Sequence, residues 1–213
     1  MRAQSVAFYR VWARTASNDI DRPAWLPVSF CHRQQDDLIM LIVFAGLPGT
    51  GKTTLSRGLA RGLGAVHLRI DSIEQAITRV RTSPADGGPI GPEGYAAAYA
   101  IAEDNLRLGL TIVADCVNPL GITRDTWRDV GKRVGVPVIE VETVCSDLVK
   151  HQRRIESRQP DIAGHTLPTW QAVLASEYEA WNRDRLVIDT ARLTVAQALS
   201  TLTELAASKK RSG

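Results

Sequence analysis

The stretch FAGLPGTGKTT, residues 44–54, sets three glycines around one lysine. Gly46, Gly51, Lys52 and Thr53 satisfy the pattern G-x-x-x-x-G-K-[ST], with Gly49 inside it. Glycine reaches backbone conformations that a Cβ forbids, so consecutive N–H groups can turn inward and form a concave site for anions. The N-terminus of a following helix adds partial positive charge. A lysine at position 52 reaches the β- and γ-phosphates, and a hydroxyl at position 53 is a magnesium ligand. ATP and Mg2+ are therefore the expected cofactors. The nucleotide-binding residues are Gly46, Leu47, Pro48, Gly49, Thr50, Gly51, Lys52, Thr53 and Thr54. The competing reading, a glycine turn with a surface lysine, lacks the strand-then-helix setting described next.

Residues 39–45 are continuously apolar, as a parallel strand buried on both faces requires. A helix is expected over 52–63, stopped by Gly64. Further strands are expected at 65–70, 110–114, 136–141 and 186–188. Helices are expected at 72–80, after Pro92, at 123–134, 147–158, 167–182 and 195–207, with a glycine- and proline-rich loop over 81–94. Alternating strands and helices imply an α/β fold, with five parallel strands and helices on both faces. Ligands then bind at the carboxyl edge of the sheet. Asp115 closes the third strand, and an apolar strand followed by Asp is the shape of a magnesium-holding Walker B site. A substrate contact or a structural turn is the alternative for this residue. Cys116 follows Asp115 where hydrolytic AAA machines carry a water-activating glutamate, which favours transfer to an acceptor.

The segment GLPGTGKTTLSRGLA resembles the P-loop of small kinases: adenylate-kinase-like phosphotransferases, gluconate kinase, chloramphenicol phosphotransferase, polynucleotide kinase and zeta toxins. It is most similar to a broad group of bacterial P-loop kinases with an AAA-type ATP-binding domain. The resemblance covers 39–207 and implies a three-layer, adenylate-kinase-like P-loop NTPase fold. LRIDSIEQAI resembles the segment in which an aspartate meets the acceptor hydroxyl. The attacking hydroxyl must lose its proton, and Asp71 is the expected acceptor of it. Asp71 also suits the N-cap of the next helix. SDLVKHQRRIESR resembles a lid whose arginines close over the triphosphate. Lys150, Arg154 and Arg158 share one helix face, with Leu148 and Ile155 as anchors on the other side. Arg154 and Arg158 are the expected catalytic arginines, and Arg153 an adenine-stacking residue; a solvated charged helix is the competing reading. The resemblance further suggests that Arg124 reaches phosphate or substrate, against a solvated helix arginine. It also makes Asp189, Thr190 and Ala191 weak candidates for base contact. Trp170, Tyr178 and Trp181 at helical spacing read as core, as do Tyr95 and Tyr99. His151 and His165 lack metal-ligand spacing.

The chain has 213 residues, 44% hydrophobic and 23% charged, which suits one domain with an appendage. Residues 1–38, with Arg2, Arg10 and Arg14 near the start, read as a poorly ordered extension and only weakly as a transit peptide. Met40 is a candidate natural start. The domain is expected over 39–208, with a disordered tail at 209–213. Cys31, Cys116 and Cys145 are too far apart for a disulfide framework or zinc site, so reduced thiols and a cytoplasmic location are expected. No apolar run reaches the roughly 18 residues of a membrane span. A net charge of +3 is too small to argue for nucleic acid. The expected function is an ATP-dependent kinase for a small-molecule hydroxyl acceptor. The alternatives are a P-loop ATPase or nucleotide switch acting with a partner, and a polynucleotide 5′-hydroxyl kinase. The sequence does not name the acceptor or the oligomeric state.

Overall fold

The computed structural model describes residues 39–80 and 91–212. The extension expected over 1–38, and residues 81–90 of the expected loop, lie outside the described residues. The elements run β1 (Leu41–Ala45), α1 (Lys52–Leu63), β2 (Val66–Arg69), α2 (Ile70–Val80), α3 (Glu93–Arg107), β3 (Ile112–Asp115), α4 (Gly121–Val134), β4 (Val138–Val144), α5 (Leu148–Ser157), α6 (Trp170–Leu174), β5 (Leu186–Asp189) and α7 (Val195–Ser212). All four pairings are parallel, in the order β2-β3-β1-β4-β5.

β1 lies in the middle of the sheet, and its side chains alternate between two cores. Ile42 and Phe44 pack with Leu55 and Leu59 of α1 and Ala198 and Leu202 of α7. Leu41 and Val43 face Ala98, Ala102 and Leu106 of α3 and Trp127 and Val130 of α4. This two-sided burial explains why the strand is apolar at every position. Tyr95 and Tyr99 join the second core as expected. The Tyr99 ring meets Trp127 edge-on at 4.6 Å, and the Tyr95 hydroxyl accepts from the Asn118 amide at 2.8 Å.

Three boundaries differ from expectation. β2 ends at Arg69 and α2 begins at Ile70, so Asp71 sits in the first helical turn and is neither strand end nor N-cap. α7 continues through Ser212, past the expected end at 207 and into the tail expected to be disordered, because lysine and arginine extend helices well. The helix expected over 167–182 is formed only from Trp170 to Leu174. The segment beyond Leu174 packs on Arg124 instead. The buried Arg124 guanidinium donates to the carbonyls of Asn118 (3.0 Å), Pro119 (2.9 Å), Glu179 (2.9 Å) and Ala180 (3.4 Å). The Glu179 amide donates to Pro119 O at 2.9 Å, so it does not serve the Ala175 carbonyl of a continued helix. Trp181 and Tyr178 cover the cation, with its central carbon 4.2 and 5.0 Å from the ring centroids. These aromatics therefore cage an arginine and are not plain core, and Arg124 is a structural clamp that does not reach toward phosphate.

Arg124→Met should destabilise the protein by about 3 kcal/mol, because four carbonyls lose their donor inside the fold. The exposed neighbour Arg128, changed to Ala, should cost about 0.5 kcal/mol or less. Urea denaturation followed by circular dichroism measures both, and equal costs would contradict the clamp.

Candidate active site

The loop between β1 and α1 is shaped by three glycines with positive φ: Gly46 at 131°, Gly49 at 80° and Gly51 at 96°. Two of them also permit close approach. A Cβ on Gly46 would lie 2.8 Å from Thr143 Oγ1 of β4. One on Gly49 would lie 2.6 Å from Ile155 Cδ1 and 3.1 Å from His151 Cδ2, both on α5. α1 starts with no side-chain cap and no acid in its first turn, so its positive end faces the loop uncompensated. The buried Lys52 ammonium donates to Leu47 O at 2.9 Å. Burial lowers its pKa, opposed by the charges of Asp115 and Asp71. Thr50 fixes the far side of the loop, bonding Leu47 O at 2.8 Å and the Thr143 hydroxyl at 2.9 Å.

A cleft of about 600 Å³ opens over this loop, a size that suits a nucleotide with part of an acceptor. Pro48, Gly49, Gly51, Lys52, Thr53 and Thr54 line it from one side. Asp71, Asp115, Arg154 and Arg158 line it from others. Gly46, Leu47 and Thr50 shape the loop from beneath and are not on the cleft surface.

Asp115 is 3% exposed, and its Oδ2 accepts no hydrogen bond among the described residues. Burial pushes this carboxyl up, but the His67 imidazole, 3.7 Å away, and the Lys52 charge outweigh it, so the group stays below the ordinary range. A buried carboxylate oxygen that accepts no hydrogen bond among the described residues, at the mouth of a phosphate loop, fits Mg2+, with the Thr53 hydroxyl as a second protein ligand. Two protein oxygens suit an ion that takes its other ligands from phosphates and water.

Asp71 is half-exposed and accepts from Arg69 Nη2 at 3.3 Å. Arg69 is held from the far side by Asp161 at 2.8 and 3.1 Å, and Arg57 of α1 joins the same carboxylate at 3.2 Å. These hydrogen bonds hold Asp161 far below the usual carboxylate range. Glu74, one turn beyond Asp71 on α2, also lines the cleft. Its carboxyl is pushed up to about 7, first by burial and then by Asp71.

α5 seats on the loop through Ile155 and His151, whose Nε2 lies 2.7 Å from Pro48 O. Arg154 reaches Thr190 Oγ1 at 2.7 Å and Thr190 O at 3.0 Å, at the rim of the cleft. Thr190 lines the cleft and donates to Thr50 O at 2.8 Å. Asp189 serves as a turn cap, accepting from Ser146 and from the Ala191 amide. Arg153 is exposed and does not line the cleft, because the helix turns it away from the face that carries Arg154 and Arg158. Leu148, expected as an anchor, is 65% exposed. Cys116 is buried and donates to Phe44 O at 3.2 Å, and burial raises its thiol pKa.

Sequence reasoning missed Glu74, Asp161 and Thr190 as a seat for Arg154. Glu74 carried a readable signal, its i+3 spacing from Asp71. Asp161 carried none, since its partners lie 92 and 104 residues away.

A phosphate loop between the central strand and a helix, in a five-stranded parallel sheet, defines a P-loop nucleotide-binding protein with the architecture of small kinases. Residues 41–177 match the AAA domain family, and the chain belongs to it. No curated protein matches the chain in sequence. Among solved structures, APE1195 superposes with a TM-score of 0.59 at 21% identity, over 81% of this chain and 96% of that one. Mycobacterium tuberculosis APS kinase CysC, in complex with AMPPNP and APS, gives 0.57 at 19% identity over 79% and 98%. A gluconokinase from Sinorhizobium meliloti 1021 gives 0.53 at 20% identity over 78% and 93%. At these identities the likeness is one of fold. No helix among the described residues is long and apolar enough to cross a membrane.

The raised pKa of Glu74 has a stability consequence. The folded chain holds this proton more tightly than the unfolded chain does, so stability falls as pH rises from the ordinary 4.5 to about 7. Glu74→Gln cannot titrate. Its stability relative to the parent should therefore increase through that window and level off above it. Urea denaturation at about pH 4.5, 6 and 8 reads the change; a difference constant with pH would show that Glu74 ionises as freely as in the unfolded chain.

Proposed function

We propose that this protein transfers the γ-phosphoryl group of Mg-ATP to a hydroxyl of a small-molecule acceptor. The observation that carries the reading is one cleft that holds both Lys52 of the phosphate loop and the half-exposed Asp71 on the adjacent strand-to-helix junction. Backbone amides of Gly49 and residues 51–53 hold the phosphates, and Lys52 draws charge from the β- and γ-oxygens. Thr53 and Asp115 would hold Mg2+, which neutralises charge on the bridging phosphate oxygens when bound. Asp71 orients the acceptor hydroxyl and takes its proton as the new O–P bond forms and the bond to the ADP leaving oxygen breaks. Arg154 and Arg158 stabilise charge moving toward that leaving oxygen. Arg69, fixed by Asp161, holds Asp71 in place through its hydrogen bond.

Cys116 bears on the choice between transfer and hydrolysis. A neutral, buried thiol bonded to Phe44 O cannot activate water, so acceptor-independent ATP turnover should be slow. The likenesses to kinase folds support the same choice. Two buried free thiols suit the reducing cytoplasm, which we propose as its location.

Lys52→Ala should abolish Mg-ATP binding and turnover. Asp71→Asn should bind Mg-ATP with unchanged affinity by calorimetry but lower transfer by about 10² to 10⁴-fold. Turnover is measured with and without panels of sugars, nucleosides, antibiotics and oligonucleotides. Fast hydrolysis with no phosphorylated product would favour the ATPase or switch, and product only on oligonucleotides the polynucleotide kinase.

A further inference from the structure

The wall of the cleft around Asp71 is formed by α2, with the start of α3 packed behind it. Asp71 and Glu74 stand one turn apart on α2, and both line the cavity. Glu74 is placed there by its neighbour. A Cβ on Gly94, in the first turn of α3, would lie 2.9 Å from Glu74 Oε1 and still closer to Cγ. Only a glycine lets α3 close over this carboxylate and leave it partly buried at the cavity wall.

Most of the basic groups near this end have partners. Lys52 belongs to the phosphate loop, and Arg154 bonds Thr190. Arg57 lies against Asp161 at 3.2 Å. Arg69, the basic residue nearest Asp71, is bound in two directions by Asp161 and by Asp71 itself. Arg158, at the C-cap of α5, and His165, whose Nδ1 has no partner among the described residues, also line the cavity. The wall formed by α2 itself carries two carboxyl groups and no cation. An acceptor bearing phosphate, sulfate or carboxylate against that wall would meet like charge from Asp71 and, above about pH 7, from Glu74. Hydroxyl and ammonium groups are donors, and ionised carboxylates accept from both.

Resting on the kinase reading above, we propose that Glu74 is a specificity-determining residue that binds a second hydroxyl or an amine of the acceptor. The substrate class is thereby set as polyhydroxyl or amino alcohols, and not acids or phosphate- or sulfate-bearing alcohols. Asp71 meets the reacting hydroxyl, while Glu74 fixes a donor group a helical turn away from it. Two contacts at that separation orient the acceptor for in-line attack.

The test uses the full chain with Mg-ATP and matched sets of acceptors, each set holding a polyol, its amino analogue and its carboxylate or phosphate analogue. The expected result is transfer to polyol or amino members and not to anionic ones. Glu74→Gln should raise the acceptor KM about tenfold or more, since a hydrogen bond to a charged group is lost, with the KM for Mg-ATP unchanged. The same substitution should shift selectivity away from the amino member toward the neutral one, which a merely structural role for Glu74 would not do. Transfer confined to anionic members, or an unchanged acceptor KM and selectivity in Glu74→Gln, overturns this inference and leaves the kinase reading standing. Absence of Mg-ATP binding, or of transfer to every member, overturns both.

Discussion

The loop between β1 and α1 can hold its shape only because two other elements press on it where side chains are missing. Thr143 of β4 occupies the space a Cβ on Gly46 would need, and Ile155 and His151 of α5 occupy that of Gly49. A nest of amides left to itself is a flexible glycine turn, and ordering it costs conformational entropy. Here that cost is met when the sheet and the two cores fold. The loop's backbone conformation is therefore set before any anion arrives. His151, at 2.7 Å from Pro48 O, and Thr50, bonded to Leu47 and Thr143, fasten the loop's remaining backbone.

The same packing decides where charge can reside. Lys52 is buried against burial's own preference, and Asp115 and Asp71 are what keep its charged form favourable. Asp115 in turn relies on Lys52 and His67. Each charge favours the other, alongside His67 for Asp115 and Asp71 for Lys52, so the phosphate loop and the end of β3 are coupled. The register of the sheet makes that coupling possible: β1 and β3 are adjacent and parallel, with Phe44 opposite Asp115. Arg69 lies opposite Asp115 on the other side. Three strand ends thus bring Lys52, the Asp115 carboxylate and the Asp71 turn to one edge.

Most of this order was readable in the residues, because it repeats along the chain. The apolar run of β1, the glycine stops at 64 and 135, and the aspartate at the end of β3 are local signals for local structure. The boundaries failed where a distant partner intervened. No window around Trp170 shows that the segment after Leu174 is held elsewhere, its Glu179 amide by Pro119 O and its Glu179 and Ala180 carbonyls by Arg124. The same limit applied in the site. Asp71 and the phosphate loop were legible by pattern. Arg153 and Arg154 are adjacent and identical in type, and only the seating of α5 on Gly49 tells which of them faces the cleft.

Asp161 shows how far such long-range constraints extend. It lies beyond the end of α5, in the segment that follows the arginines over the phosphate loop. Through Arg57 it is tied to α1, and through Arg69 to the end of β2. α5 is therefore anchored twice, at its middle by Ile155 and His151 on the loop and past its end by Asp161 on the acceptor side. One carboxylate, Asp161, thus links the segment that follows α5 to α1 and, through Arg69, to Asp71 on α2, so the two sides of the cleft are held in one arrangement by charge-assisted hydrogen bonds.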